Sequence, residues 1–450
     1  MKSLKVSVIV LGCSKNTVEA EYLLGSFNAK GFIITANAPE ADVIVVHTCS
    51  FIGDARIESE AAINYALSLK KSSPHIKVYA TGCLAQLLGA KLSKTSSFKK
   101  GHNPSNSTPL LDGYLGTGSM HKLPDLILRG ARISDTSKAG GFNDNKHRIL
   151  SSPLAYAYLK ISEGCNHKCS FCIIPRLRGK YQSRTVASLT DEAKVLADSG
   201  IKELILVAQD TTSYGKDLYN RFALDKLLKN LCNISGIKRV RLMYAYPSSI
   251  TKNLLNVIAD YQEICNYIDV PVQHISPDVL GAMNRPVNTR SIIYDIIKKL
   301  PKVALRTTFI SGFPSETKKD FNELLSFAQE GHFMYAGVFA YSDETLAGSH
   351  KIRPKVSAKL ATKRKIILEK AQQTIFANKV CSLLGTTQEL FIESCVKSRR
   401  NYLIKGRVPC QAPTVDGITF LESPKPLKVP SVKKVVITGH EGYNIKAKLI

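Results

Sequence analysis

Three cysteines lie close together in the stretch SEGCNHKCSFC, at positions Cys165, Cys169 and Cys172. A structural zinc ion takes four ligands, commonly from paired C-x2-C units. His167 lies inside the stretch, but no second C-x2-C unit is present in the chain. Three thiolates can instead hold three irons of a cubane 4Fe–4S cluster and leave the fourth iron open to a small-molecule ligand. The spacing favours such a cluster, with structural zinc as the alternative.

A second set of three cysteines is dispersed along the first part of the chain. Cys13, Cys49 and Cys83 end the strand-like runs VSVIVLGC, DVIVVHTC and KVYATGC. Because the carboxyl ends of parallel strands share one edge of a sheet, we expect the three thiols to converge and to hold a second cluster with one open iron. The alternative is three buried cysteines that act as small apolar residues. The other five cysteines have no ligand spacing and are interpreted as packing residues: Cys232, Cys265, Cys381, Cys395 and Cys410.

The elements that must position these cysteines fall into three predicted domains and one linker. The first domain is predicted over 1–136. Strands and helices alternate over its residues 4–90, with helices predicted over 17–30 and 54–71, which indicates a doubly wound parallel α/β sheet. Residues 137–151 are rich in Ser, Gly, Asn and Lys and are predicted to be a linker. The central domain is predicted over 152–378 and the C-terminal domain over 379–450.

The central domain shows six strand candidates separated by helical patterns. They are AYLKIS, ELILVAQD, RVRLMYAYP, YIDVPVQH, ALRTTFISGFP and AGVFAYS. Six β/α units are too few for a closed eight-unit barrel and favour a partial barrel, whose chemistry is expected at the carboxyl ends of the strands. Polar residues at or near those ends are candidates to contact a cofactor or substrate, or to serve as structural hydrogen-bonding residues: Glu163, Gln209, Asp210, Gln273, His274 and Arg306.

The C-terminal domain follows a basic helical stretch over 358–380. Five short runs, ELFIES, YLIKGRV, ITFLE, KVVITGH and YNIKAKL, are separated by turn residues. This pattern predicts a small antiparallel β module.

Charge and cysteine content restrict the cellular setting. The formal net charge of +26 favours a polyanionic partner such as nucleic acid or a ribonucleoprotein, with a solvated lysine-rich surface as the alternative. The 11 cysteines are an odd number in a long chain, which is typical of a reducing cytoplasm rather than a disulfide scaffold. The apolar run over 6–11 is shorter than a signal-peptide core, and no run is long enough to span a bilayer, so we expect a cytoplasmic protein without membrane association.

Together these motifs resemble the methylthiotransferases of the radical S-adenosylmethionine (SAM) superfamily over nearly the full length. The resemblance implies that SAM binds the open iron at Cys165, Cys169 and Cys172, and that one electron cleaves its sulfonium C–S bond to give a 5′-deoxyadenosyl radical. It implies a second 4Fe–4S cluster on Cys13, Cys49 and Cys83 that is implicated in sulfur supply, a second SAM as methyl donor, and a C-terminal TRAM module. The turn GFPSET resembles the family's turn near the SAM methionine, through Gly312, Pro314 and Glu316.

Several stretches resemble the RimO branch of this family: LGCSKN, VAQDTTSYG, VPVQHIS and APTVDG. This resemblance implies methylthiolation of the β-carbon of an aspartate in the twelfth small-subunit ribosomal protein, free or in the assembled subunit, with a reducing electron donor. Contact with ribosomal RNA would reconcile the basic enzyme with a basic substrate protein. Three features depart from the pattern: Ser315 replaces a usual glycine, His47 replaces a usual asparagine, and the loop YSDETLAGS is short.

Two alternatives remain at this stage. The positive charge suits tRNA, which is the substrate of the MiaB branch that methylthiolates adenosine. The charge and the β module also suit a metal-stabilised RNA-binding protein without catalytic activity.

Overall fold

A computed structural model describes residues 3–89, 91, 110–131, 133–137, 139–141, 147–151 and 155–450. Part of the predicted linker 137–151 lies outside the described residues. The chain divides into two compact units. The first comprises 1–151, 162–167 and 172–182, and the second comprises 152–161, 168–171 and 183–450. The domain boundaries placed near 136, 151 and 378 stay predictions.

The first unit is built on a parallel six-stranded sheet in the order β2-β1-β3-β4-β5-β6, which confirms the doubly wound class. Its strands are β1 (Lys5–Val10), β2 (Ile33–Ile34), β3 (Val43–Thr48), β4 (Lys77–Gly82), β5 (Gly113–Leu115) and β6 (Ile133–Asp135). The helices among them are α1 (Ser14–Ala29), α2 (Gly53–Ser72), α3 (Cys83–Leu88) and α4 (Leu123–Leu128). Later in the chain come the short strands β8 (Ser162–Glu163) and β9 (Gln182–Ser183), and helix α5 (Ile174–Arg178).

Strand β3 explains why the sheet of the first unit is covered on both faces. Successive side chains of a strand point to opposite faces. Ile44 and Val46 pack into one apolar cluster, and Val43 and Val45 pack into another. A strand that is apolar at every position is therefore buried on both sides, as is usual for a parallel sheet.

The second unit begins with a parallel six-stranded sheet in the order β14-β13-β12-β11-β10-β7, which confirms the six predicted strands. These are β7 (Tyr156–Lys160), β10 (Glu203–Val207), β11 (Arg239–Leu242), β12 (Ile264–Asp269), β13 (Ala304–Ser311) and β14 (Phe333–Ala340). The helices are α6 (Val186–Asp198), α7 (Lys216–Tyr219), α8 (Leu224–Cys232), α9 (Lys252–Asp260), α10 (Pro277–Ala282), α11 (Thr289–Lys299), α12 (Lys318–Gln329) and α13 (Ala358–Cys381).

The C-terminal module of the second unit is a closed barrel in the order β15-β16-β17-β19-β18. Its strands are β15 (Thr387–Ser398), β16 (Asn401–Arg407), β17 (Thr419–Ser423), β18 (Ser431–Glu441) and β19 (Asn444–Leu449). All pairings are antiparallel as predicted, except that β17 pairs in parallel with β19. That one pairing closes the barrel and removes the free strand edges.

None of the helices formed by the described residues combines the length and the apolar character that crossing a membrane requires.

Candidate functional site

The first unit brings Cys13, Cys49 and Cys83 to one edge of its sheet. They follow β1, β3 and β4, which are neighbours in the sheet. Gly12 has a φ of +93°, and a Cβ at this position would lie 2.7 Å from the Cβ of Cys49, so the loop that carries Cys13 packs directly against Cys49. The convergence expected from the sequence is therefore present.

The three thiols differ in their electrostatic surroundings. Burial opposes ionisation of Cys13, but the charges of Lys15 and Arg178 and the backbone N–H groups of Asn16 and Lys15 outweigh it and lower the pKa of the thiol. Burial raises the pKa of Cys49, and it raises the pKa of Cys83 to about 12. Each of these two thiols also lies within electrostatic reach of Cys13, which contributes to both increases.

Arg178, the last residue of α5, is a buried cation at this edge. Its side chain is 2% exposed, and its Nε–H donates to Sγ of Cys83 over 3.2 Å. Nη2 donates to Oδ1 of Asn16 over 2.6 Å, and Nη1 pairs with Glu19. Nη1 also lies 3.5 Å from Oε2 of Glu163. The guanidinium is therefore held on several sides by groups of the same unit.

The partners of Arg178 are fixed in turn by the sheet. Asn16 Nδ2 donates to the carbonyl oxygens of Leu11 and Thr48, at 2.8 and 3.1 Å, and so joins the ends of two strands. His47 is fully buried, with Nδ1 2.9 Å from Oγ1 of Thr81 and Nε2 3.3 Å from Oε2 of Glu19. The histidine that departs from the family pattern thus adjoins the carboxylate that holds Arg178.

The cysteine loop 165–172 leads into helix α5, and its three cysteines are partly buried. In the first unit, the N–H of Cys165 donates to the carbonyl oxygen of Gly179 over 3.2 Å, and the N–H of Ile174 donates to Sγ of Cys172 over 3.4 Å. A thiolate at Cys172 therefore has a backbone N–H donor at the start of the helix.

Cys169 belongs to the second unit. Nη1 of Arg285 lies 3.8 Å from its Sγ, and the guanidinium of Arg285 stacks 4.2 Å above the ring of Tyr246. The N–H of the next residue, Ser170, donates to the carbonyl oxygen of Met283 over 3.0 Å. The segment 168–171 is thus anchored at the end of helix α10, beside a cation.

Three of the predicted polar candidates follow the first strands of the central region. Glu163 is buried, and its Oε1 accepts from the N–H of Gly164 over 3.1 Å. Asp210 is also buried, and its Oδ1 accepts from the N–H and the hydroxyl of Thr212, at 2.9 and 2.6 Å. Gln209 is partly buried. The carboxylate of Asp210 thus stabilises its own turn.

The candidates Gln273, His274 and Arg306 lie farther along the sheet of the second unit. Gln273 has a φ of +70°, and its N–H donates to the carbonyl oxygen of Thr308 over 2.8 Å. Burial lowers the pKa of His274 to about 4, so its Nδ1 accepts from the N–H of Ser276, at 3.1 Å. Arg306 Nη1 donates to Oδ1 of Asp269 over 3.0 Å.

The turn Gly312–Thr317 is organised by the carboxylate of Glu316. Its Oε2 accepts from the N–H groups of Gly312 and Phe313, at 2.7 and 3.2 Å, and its Oε1 accepts from Arg364 over 2.5 Å. A Cβ at Gly312 would lie 2.2 Å from the Cβ of Ala361 on α13, so the close approach that requires this glycine is made by a helix of the protein. Pro314 is buried in the same turn.

The donor set fits iron–sulfur clusters. Two sets of three free thiols are available, and N–H groups of Arg178 and Ile174 point at sulfur atoms in the two sets. Thiolates with hydrogen bonds to sulfur are the usual protein environment of such clusters. Within the described part of the chain, no three His, Cys, Asp or Glu side chains are grouped for a single metal ion.

The buried arginines beside the cysteines, Arg178 and Arg285, were not identified from the sequence. Arg178 lies in the stretch CIIPRLRG, six positions after Cys172, and this closeness to the cysteine loop is the signal that could have identified it. Its partner Glu19 is 159 residues away, and no local pattern signals such a contact.

Three family profiles match successive parts of the chain. The profile of the Radical SAM superfamily matches residues 159–328, that of the uncharacterized protein family UPF0004 matches residues 5–100, and that of the TRAM domain matches residues 384–450. The chain is thus a radical SAM enzyme with an additional N-terminal domain and a C-terminal TRAM domain.

Curated relatives cover the full length. The chain is 51% identical to the ribosomal protein uS12 methylthiotransferase RimO of Endomicrobium trichonymphae over 98% of both chains. It is 38% identical to the RimO of Aquifex aeolicus (strain VF5), over 99% of this chain and 97% of that protein. The chain belongs to the RimO family of methylthiotransferases, enzymes that transfer a sulfur-containing group.

Solved structures support the fold. The radical SAM methyltransferase TsrM from Kitasatospora setae, determined with cobalamin and a 4Fe–4S cluster bound, matches with a TM-score of 0.51. The match covers 75% of each chain at 12% identity.

Proposed function

We propose that this protein methylthiolates the β-carbon of an aspartate in ribosomal protein uS12. The observation that carries the proposal is full-length similarity to curated uS12 methylthiotransferases, at 51% identity over 98% of the chain. Membership of the RimO family, which uses SAM and two 4Fe–4S clusters, also supports it.

In this proposal the six clustered cysteines hold the two clusters. Cys165, Cys169 and Cys172 would hold the cluster that serves SAM cleavage, and Cys13, Cys49 and Cys83 would hold the cluster implicated in sulfur supply. When bound, the clusters and SAM supply the electron transfer and radical chemistry, and the protein contributes position and shielding from water.

The residues of this chain then act on the geometry of the site. Arg178 and the N–H of Ile174 orient cysteine sulfurs by hydrogen bonds, and Arg285 places a positive charge beside Cys169. Gly312, Pro314 and Glu316 shape a turn near SAM. The carboxylate of Glu316 stabilises this turn from inside the protein, through Gly312 and Arg364, and is not proposed to contact SAM itself. Glu163, Gln209, Asp210, Gln273, His274 and Arg306 are proposed to contact SAM or substrate, or to fix the residues that do.

The partners follow from charge. Arg399, Arg400, Lys433 and Lys434 are exposed on the TRAM barrel, and such cations suit phosphate groups. We propose that they contact ribosomal RNA near uS12, which offsets the repulsion between two basic proteins. A reducing electron donor and a cytoplasmic location belong to the same proposal.

A second candidate function is methylthiolation of a tRNA adenosine, which the net charge of +26 favours. One experiment separates the two. The protein is reconstituted anaerobically with iron and sulfide and incubated with SAM, dithionite and either purified small ribosomal subunits or bulk tRNA. Mass spectrometry should show one methylthio group on uS12 and none on tRNA. A methylthio group on tRNA with unmodified uS12 would contradict the proposal.

A further inference from the structure

Arg178 follows one cysteine set in the sequence and contacts the other set. It lies six positions after Cys172, at the end of the helix that follows the loop, yet its Nε–H donates to Sγ of Cys83 over 3.2 Å. All the contacts described for Arg178 lie within the first unit.

The orientation of this guanidinium is heavily constrained. Asn16 accepts from Nη2 over 2.6 Å, and Glu19 and Glu163 both lie on the Nη1 side. Because the planar fork of an arginine places its donors in fixed directions, these contacts leave Nε pointing at sulfur. A lysine has the charge but lacks this fork.

The backbone around Arg178 is also held closely. A Cβ at Gly140 would lie 2.1 Å from the carbonyl oxygen of Arg178, and one at Gly179 would lie 2.8 Å from the carbonyl oxygen of Ala139. The hydroxyl of Thr117 donates to the carbonyl oxygen of Leu177 over 2.8 Å. The end of α5 therefore packs closely against residues 139 and 140 of the predicted linker, at glycine positions where a side chain would clash.

Charge gives this geometry its chemical meaning. Three thiolates bring negative charge to a buried place, and buried charges require compensation. Hydrogen bonds to sulfur and nearby positive charge are among the features that set the reduction potential of an iron–sulfur cluster. Arg178 supplies both at Cys83.

We propose that Arg178 is a positioning residue for the N-terminal cluster, which holds the sulfur of Cys83 by hydrogen bonding and raises the reduction potential of the cluster. This rests on the proposed function, in that Cys13, Cys49 and Cys83 are taken to bind that cluster. Because Arg178 ends helix α5, the reduction potential of the N-terminal cluster would depend on correct folding of the helix that follows the cysteine loop 165–172.

The test uses the full chain with Cys165, Cys169 and Cys172 replaced by alanine, so that only the N-terminal cluster is reconstituted. Into this background go Arg178→Gln, which removes the charge, and Arg178→Lys, which keeps it without the fork. The matched control is Arg176→Gln, since Arg176 is exposed on the same helix. Iron per chain, the rate of iron loss to a chelator and the midpoint potential by redox titration are measured.

We expect Arg178→Gln to lose iron several-fold faster than the control and to show a lower midpoint potential. Arg178→Lys keeps the positive charge but loses the fixed donor directions. Its midpoint potential should therefore lie close to that of the control, whereas its rate of iron loss should be clearly faster. An Arg178→Gln protein with the iron content, chelator rate and potential of the control would overturn the role of Arg178 alone. A background protein that binds no iron with Arg178 intact would overturn the cluster assignment, and the role of Arg178 with it. The far-UV circular dichroism spectrum of Arg178→Gln should match that of the control, which shows that the variant folds.

Discussion

Arg407 of the TRAM barrel and Glu203 of the central sheet form a buried ion pair, with Nη2 of the arginine 2.7 Å from Oε2 of the glutamate. Arg241 shares the same carboxylate, with Nε 2.8 Å from Oε1. All three side chains are at most 1% exposed. The TRAM barrel is therefore joined to the central sheet by charges that have no access to solvent.

Loss of one partner from this pair should destabilise the protein strongly, because the carboxylate would lose a buried counter-charge. We expect Arg407→Met to lower the free energy of unfolding by about 3–5 kcal/mol in urea denaturation. The control is Lys446→Met, which breaks an exposed pair with Glu441 and should cost about 1 kcal/mol or less. Equal urea midpoints for the two variants would count against a structural role for the buried pair.

A second buried carboxylate, that of Asp416, should make stability depend on pH. Burial raises its pKa to about 6 despite the nearby Arg306, whereas an unfolded aspartate titrates near pH 3.8. The folded state thus holds a proton that the unfolded state has released between these values, so the contribution of Asp416 to stability falls as pH rises from about 4 to about 6. The slope is at most roughly 1.4 kcal/mol per pH unit.

The measurement is the free energy of unfolding of the protein and of Asp416→Asn at several pH values between 4 and 7. Other titrating groups are common to both chains and cancel in the difference. The advantage of the unsubstituted protein over the variant should shrink up to about pH 6 and then stay constant. A difference that does not change with pH would show that Asp416 stays ionised throughout.

The two cysteine sets should fail in different ways. Cys169→Ala should abolish reductive cleavage of SAM, because the cluster that binds SAM loses a ligand. Cys49→Ala should keep measurable SAM cleavage but form no methylthio product. Each variant should contain roughly four irons per chain instead of about eight after reconstitution. The control is Cys381→Ala, an exposed cysteine that belongs to neither set. Methylthio product from Cys49→Ala would remove the N-terminal set from the mechanism.

Ser315 stands where the family usually has glycine, and its backbone explains that preference. It has a φ of +70°, and its N–H donates to the carbonyl oxygen of Pro354 over 2.8 Å. A left-handed conformation costs a non-glycine residue roughly 1–2 kcal/mol. Substitution by glycine removes this cost, but part of the gain is offset because glycine makes the unfolded chain more flexible. Ser315→Gly should therefore raise the free energy of unfolding by up to about 1 kcal/mol, which is measured as a small increase in the thermal midpoint.

The opposite sign is expected at Ser326, an exposed residue of helix α12. Glycine lowers helix propensity, so Ser326→Gly should destabilise by roughly 0.5 kcal/mol. If both substitutions lowered the thermal midpoint equally, the strain at Ser315 would not be stored in the folded protein.

The sequence predicted the parts of the fold that depend on local pattern. The strands of the central sheet were identified because each is a short run rich in apolar and β-branched residues, and helical patterns lie between these runs. Strand β2 was missed because two residues carry no periodicity, and α1 begins at Ser14 rather than at Thr17 because Cys13 is not a residue typical of helix starts. The parallel pairing of β17 with β19 depends on closure of the barrel, which cannot be predicted from the sequence of any single strand.

The same division holds at the site. The position of Cys13, Cys49 and Cys83 followed from their places at strand ends. The contacts of Arg178 with Glu19 and Asn16 join residues more than 150 positions apart. The carboxylates of Glu316 and Asp210 accept from backbone N–H groups of their own turns. Sequence position identified these carboxylates as candidates for ligand contact, but only side-chain geometry shows what they bind inside the protein.

The most direct test of the proposed function is the mass of uS12 from a bacterium that lacks its own uS12 methylthiotransferase and expresses this chain. We predict that the aspartate of uS12 regains one methylthio group, and that a strain expressing Cys169→Ala does not regain it. Unmodified uS12 together with newly methylthiolated tRNA adenosine would contradict the account.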